Sequence, residues 1–300
     1  MSTWAILAMA LALAASPGAD VEPVIETGDV DRFFEVYDEA GGHPAADVLQ
    51  REYLDRGSVG LQQLARMRNV TGQSIADAIA ARPGIYAEAR DCLGVLPRVR
   101  NRLVVALRKL RDLYPGMRLA PITIAIGRGK PVGVGGRDTG VQIGAEALCA
   151  TDWMNPDIED RFVRVIMHEY AHVQQAVAFS EIEGATVLAA SLEEGAAEFL
   201  TELTTGAISY AYLDGLVAGR EREIETAFAA DAHKTDLSDW LYNSTPQKPA
   251  DLGYWVGYRI VQSYYHHADD KHAAIRDILE MTDPEEFRAR SGWQPGIELP

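Results

Sequence analysis

The chain is short of positive charge: 28 Lys and Arg stand against 44 Asp and Glu in 300 residues, a formal net charge of −16. A polyphosphate or an anionic membrane surface would be repelled by that balance, so nucleic acid and acidic lipid are poor partners. Cysteine is scarce too. Cys92 and Cys149 allow one disulfide at most, and their separation in sequence leaves open whether they pair or lie as two buried thiols. No internal repeat, low-complexity tract or linker-like stretch is visible. With 47% of its residues hydrophobic, the chain can bury the core of one generous domain. A phosphate loop is missing as well. In the glycine-rich stretch 127–140, Gly129-Lys130 is followed by Pro131 in place of Ser or Thr, and no spacing satisfies GxGxxG. Those glycines read as turns.

One apolar run stands out, from Trp4 to Ala15, ahead of Ser16-Pro17-Gly18. It is too short to span a bilayer and offers small residues near its end, which implies a signal peptide over residues 1–19, although no Lys or Arg precedes it. No cysteine follows it to carry a lipoprotein anchor. The expectation is a periplasmic or secreted protein with no stable membrane insertion after cleavage.

From Asp29 to about Tyr114 the pattern is helical, interrupted at Gly41-Gly42, Gly57 and Pro83-Gly84. Its clearest helix runs from about Leu96 to Tyr114, with Leu96, Val99, Leu103, Leu107, Leu110 and Tyr114 at three- and four-residue steps. Pro121 to Ile126 alternates and is rich in β-branched residues, and Val141 to Gly144 is a second strand candidate, so a small sheet or hairpin is implied. After Trp153 the pattern is helical nearly to the end. The fold class is therefore mostly α with a small β-sheet (α+β). Residues 20–300 form one unit, with a helical N-terminal part to about 115 and a second part over about 116–300.

Asn155-Pro156-Asp157 offers a capping side chain, a proline for the first helical position and an acid, followed by a breaker-free stretch from Ile158 to Phe179. Inside it lies His168-Glu169-Tyr170-Ala171-His172. A four-residue step returns to nearly the same helix face, so both imidazoles can bind one zinc ion, while Glu169 on the adjacent face can take a proton from a water that the metal polarises. Val163, Val165, Ile166, Met167, Tyr170, Ala171 and Val173 make the setting apolar. Two unpaired histidines and a glutamate would be costly there unless a metal satisfies them.

The site needs a third ligand. The extension HExxHxxGxxH fails, because Gln175 replaces the glycine and Ala178 the last histidine. A later carboxylate fits: Glu194 lies on a second expected helix that a turn around Gly184 would send back beside the first. Ser191-x-x-Glu194 could instead be a capping box, but Thr186 to Ala190 already looks helical and would put Ser191 inside the helix. Glu193 is the fallback ligand.

HEYAH followed by Glu194-Gly195-Ala196-Ala197-Glu198 resembles the gluzincin pattern of HExxH plus EGxA(D/E). It is similar in particular to a bacterial group of predicted zinc-dependent proteases with HEYxHxxQ, EGxAE and a late GYxxGYRIV helix, here Gly253 to Val261. The likeness covers roughly residues 95–290. It implies a zincin-like, thermolysin- or gluzincin-like catalytic core with one zinc per chain on His168, His172 and Glu194, and Glu198 supporting a zinc-bound histidine through a hydrogen bond.

Tyr254 and Tyr258 share a helix face, so either, Tyr258 first, can bring a phenol to an oxyanion near the metal. His266, His267 and His272 have no good metal spacing and read as a solvated helix end. The expected activity is hydrolysis of peptide or protein substrates with Glu169 as general base. The absence of a GAMEN anchor leans towards an endopeptidase. Two alternatives stand: a hydrolase of non-peptide amides or esters, and an inactive zinc-stabilised binding protein of the cell envelope. The intact Glu169 argues against the last, because a purely structural zinc needs no base.

Overall fold

The computed structural model describes residues 22–130 and 133–299, so the expected signal peptide lies outside the described residues. The N-terminal part is helical: α1 (Gly28–Glu39), α2 (Ala46–Val48) running into a π-helical turn at Leu49–Leu54, α3 (Val59–Arg68), α4 (Gly72–Ala81), α5 (Pro83–Leu93) and α6 (Leu96–Leu113). In α6 the periodic residues Val99, Leu103, Leu107 and Leu110 are all buried, as their spacing requires.

A short strand before these helices, β1 (Ile25–Glu26), joins β2 (Ile122–Ala125), β3 (Gly133–Gly136) and β4 (Gly140–Gly144) in one sheet. Its order is β1-β2-β4-β3, with β2 parallel to β1 and β4, and β3 antiparallel to β4 at the edge. β2 and β4 are buried along their whole length, the pattern of strands covered on both faces. The glycine stretch thus holds a strand that turn chemistry alone does not foretell, and the reading of all its glycines as turns is corrected at β3.

The second part continues with α7 (Ala145–Cys149), α8 (Ile158–Gln174), α9 (Val187–Thr205), α10 (Tyr212–Val217), α11 (Glu221–Asp231), α12 (Leu252–His267), α13 (Lys271–Leu279) and α14 (Pro284–Arg290). α8 starts two residues later than the sequence implies. Asp157 is its N-cap, accepting from the Asp160 amide at 2.8 Å, while Asn155 Oδ1 takes the Asp157 amide at 3.1 Å in the turn before it. It also stops early: Gln175 is extended (ψ 139°), and its side chain is used elsewhere. Gly184, at φ +77°, helps return the chain, and α9 starts at Val187 with Thr186 as N-cap. Ser191 is therefore interior to α9, which removes the capping-box reading of Glu194.

Two connections fix the walls of what becomes the site. Cys92 and Cys149 form a disulfide, with Cα atoms 6.1 Å apart, tying the end of α5 to the end of α7. Arg161, buried and 2% exposed, donates to the carbonyls of Leu148, Cys149 and Asn155 at 2.8–2.9 Å. It therefore clamps the α7-to-α8 connection onto α8. α9 and α12 cross backbone to backbone: a Cβ on Gly195 would lie 2.1 Å from the Gly257 carbonyl carbon, and one on Gly257 1.7 Å from Ser191 O. No larger residue fits at either position without parting the helices. One continuous apolar core runs through both parts of the chain. No helix among the described residues is long and apolar enough to cross a membrane.

Candidate metal centre

α8 and α9 bring His168, His172 and Glu194 together. Nε2 of His168 lies 3.1 Å from Nε2 of His172, and Glu194 Oε2 lies 3.1 Å from the first and 3.3 Å from the second. Ligands held at about 2.0–2.1 Å around a tetrahedral zinc ion are about 3.3 Å apart, so this triangle has the edge lengths of three zinc ligands. Among the described residues these three form a group able to hold a metal ion, and all are largely buried.

Each ring is held from behind. Glu198, fully buried, puts Oε1 2.8 Å from His168 Nδ1, an ion-pair distance whose alignment falls short of a regular hydrogen bond. It also accepts from the Ser209 amide at 2.6 Å and from the Ser209 hydroxyl. His172 Nδ1 lies 2.7 Å from Gln175 Oε1, and Gln175 Nε2 donates to the Glu193 carbonyl at 2.7 Å. That second bond fixes the amide's orientation, so the imidazole donates from Nδ1 and keeps the Nε2 lone pair for a metal. Gln175 spoils the HxxGxxH spacing and reappears here as the support of His172.

The charges fit a cation. Burial alone would lower both imidazoles, but the Glu194 carboxylate, joined for His168 by Glu198, outweighs it. His168 is raised well above its ordinary value and His172 to about 9. Burial would raise Glu194, and its two imidazole neighbours instead pull it far below the usual carboxylate range. Carboxylates that raise both imidazoles in this way favour a positive charge between them, as a divalent ion would supply. Glu193, the fallback ligand, points elsewhere: its Oε2 accepts from the Ser180 amide at 2.7 Å.

Glu169 faces the same cleft from α8 without joining the triangle. Burial raises its carboxyl above the ordinary glutamate value, with the two histidines and the Gly135 amide pulling the other way. Edge strand β3 lies directly against it. A Cβ on Gly133 would sit 2.3 Å from Glu169 Oε1, and one on Gly135 1.8 Å from Glu169 O. Glycine is needed at β3 for this close approach, not for a turn.

A cleft of about 1040 Å³ opens over these groups. The clamped connection supplies Leu148, Trp153 and Met154 to its lining, and Met67 and Arg68 of α3 reach it from the N-terminal part. Tyr254 is in it, 4% exposed, its ring stacked 6.1 Å from that of His168 and its hydroxyl without a hydrogen-bond partner among the described residues. Tyr258 is not. One turn further along α12, its hydroxyl donates to Glu202 at 2.7 Å, outside the cleft lining. The two tyrosines share a face, but the rise along the helix carries the second past the end of the site. Tyr210 and Tyr242, with no motif to mark them, also line the cleft, and the Tyr242 hydroxyl donates to Glu194 Oε1 at 2.8 Å. His266, His267 and His272 are exposed at the end of α12 and the start of α13, and none of them joins the group able to hold a metal ion among the described residues.

Residues 147–286, which include every group just described from α8, α9 and α12, match a protein family described as "Predicted Zn-dependent protease". The description names the activity such ligands serve, and names it as a prediction. No curated protein and no solved structure matches the chain.

Proposed function

We propose that the protein is a zinc-dependent peptidase of gluzincin type that hydrolyses internal amide bonds of peptides or proteins outside the cytoplasm. The observation that carries this reading is the triangle of His168, His172 and Glu194, with a separate half-buried carboxylate, Glu169, beside it on the cleft. Three protein ligands with a neighbouring base are the arrangement of a catalytic zinc; a structural zinc takes four. With zinc bound, the site gains a Lewis acid that polarises both the scissile carbonyl and the attacking water.

This chain's residues do the rest. Glu169, made more basic by its burial, accepts a proton from the attacking water and delivers it to the leaving amine. Tyr254 is the better placed of the two expected phenols to donate to the developing oxyanion, since its hydroxyl is uncommitted and faces the cleft, whereas that of Tyr258 is engaged by Glu202. β3 supports a peptide substrate: its outer edge lacks a strand partner among the described residues, and an extended chain can pair there across Glu169. Glu198 and Gln175 hold the ligand rings in the tautomer the metal needs. Export is supported by the Cys92–Cys149 disulfide, a bond that persists in oxidising compartments.

The test is metal analysis of the purified protein with a peptide-library cleavage assay, with and without chelator. About one zinc per chain and chelator-sensitive cleavage are expected. Glu169→Gln should keep the zinc while losing at least the 10²- to 10⁴-fold that general-base assistance typically supplies. Wild-type cleavage by that variant would remove Glu169 from its role, and a full zinc site without any hydrolysis would favour the binding-protein alternative.

A further inference from the structure

The segment from Tyr242 to Asp251 is a loop with pinned ends. The Asn243 amide donates to Asp251 Oδ1 and the Asp251 amide to Asn243 Oδ1, both at 2.8 Å. Ser244 Oγ accepts from the Ala250 amide and pairs with the Tyr212 hydroxyl, again at 2.8 Å. Both residues at its ends are left-handed without being glycine, Tyr242 at φ +57° and Asp251 at φ +61°. Such a conformation persists only where the surroundings enforce it, and it gathers at working sites. Here the enforced backbone delivers one phenol. Tyr242 is 56% exposed, yet its hydroxyl reaches into the cleft to Glu194 Oε1, with its ring edge-on to Tyr254 at 6.1 Å.

The consequence lies in which oxygen it takes. Glu194 Oε2 faces both imidazole nitrogens, while Oε1 is the one Tyr242 engages. A carboxylate with both oxygens free can grip a metal with either or both, and a second bond would fill the position that the attacking water needs. We propose that Tyr242 is a positioning residue that restricts Glu194 to ligation through a single oxygen and so keeps the coordination position beside Glu169 open. This rests on the zinc-site reading above. The phenol is exposed because its loop crosses the cleft wall, and its strain is what aims it.

The test is cobalt(II) substitution in the full chain, read by visible absorption, with zinc affinity measured by chelator competition. Wild type should give the intense spectrum of a four-coordinate ion. Tyr242→Phe removes one oxygen from a half-exposed ring. It should drop that absorption several-fold as the second Glu194 oxygen joins, and weaken zinc binding by about 10- to 100-fold, the usual cost of losing a group that holds a ligand. Tyr242→Gly, which relieves the left-handed strain while removing the phenol, should show the same spectral change and keeps the test open if the phenylalanine variant folds poorly. A wild-type spectrum and affinity in both variants would overturn the proposal and leave the metal site standing. Failure of the wild-type protein to bind either ion would instead overturn the metal-site reading, and the proposal with it.

Discussion

Replacing Gly135 by alanine tests whether β3 is part of the working site. The new Cβ would lie 1.8 Å from the Glu169 carbonyl oxygen and 3.1 Å from its Cα. Both are helix backbone, so no side chain can rotate away. To reach about 3.0 Å the strand must retreat from α8 by roughly 1.2 Å, an overpacking that typically costs about 1–3 kcal/mol of stability. The larger effect should be on turnover. A misplacement of about 1 Å at a reacting centre can cost on the order of 10²-fold, and the retreat also takes the Gly135 amide away from Glu169. The assay is kcat/KM for a cleaved peptide, compared with a Gly136→Ala control whose added methyl meets chiefly the Thr139 hydroxyl, the mobile end of a side chain, at 2.6 Å. Gly135→Ala should lose about 10²-fold or more while still binding zinc, since none of the three ligands is on β3. Equal activity in the two variants, with equal melting temperatures, would refute the placement of β3 against Glu169.

Gln175→Ala should weaken zinc binding by about 10- to 100-fold without abolishing it, because His172 loses the acceptor that fixes its tautomer; unchanged affinity in chelator competition would remove Gln175 from the site. Zinc binding should release protons at neutral pH, since both histidines carry raised values in the metal-free site, His172 at about 9. Protons and metal compete for the same nitrogens, so affinity should rise with pH from neutral through about 9, where His172 loses its proton; calorimetry in buffers of different ionisation enthalpy measures the release, and none at pH 7 would contradict the charge assignment. Removing the Cys92–Cys149 bond, whose cysteines are 57 residues apart, should cost up to about 4 kcal/mol in denaturant unfolding, and a loss under about 1 kcal/mol would mean the clamp by Arg161 suffices.

The candidate metal-binding residues are the most legible part of the chain because their spacing is local. His168, Glu169 and His172 are placed by the pitch of one helix, and Glu194 and Glu198 by the pitch of a second, so only the packing of α8 against α9 had to be inferred. The same periodicity placed the core face of α6. Boundaries were less accessible: Asp157 took the cap that Asn155 also offered, and Gln175 ended α8 where no proline or glycine signals a stop. Its polar side chain between His172 and Glu193 was the hidden signal, readable only once α9 lay alongside.

What stayed illegible depends on contacts between distant segments. Helical spacing puts Tyr254 and Tyr258 on one face but does not say where along α12 the site falls; that is set by the crossing at Gly195 and Gly257. Gly195 therefore has a reason to lie next to Glu194 that is separate from metal binding. It lets the α12 backbone approach α9 closely enough for Tyr254 to reach the His168 ring, while Tyr258 overshoots to Glu202. Gly133 and Gly135 of β3 obey the same logic, since Glu169 or its helix backbone occupies the space a side chain would need. Tyr242 had no such marker, because an irregular loop held by its own side chains carries no period to read. In this chain the placement of the proposed ligands follows from helix pitch, and that of the groups packed around them from glycines where backbones meet and from a loop pinned at its ends.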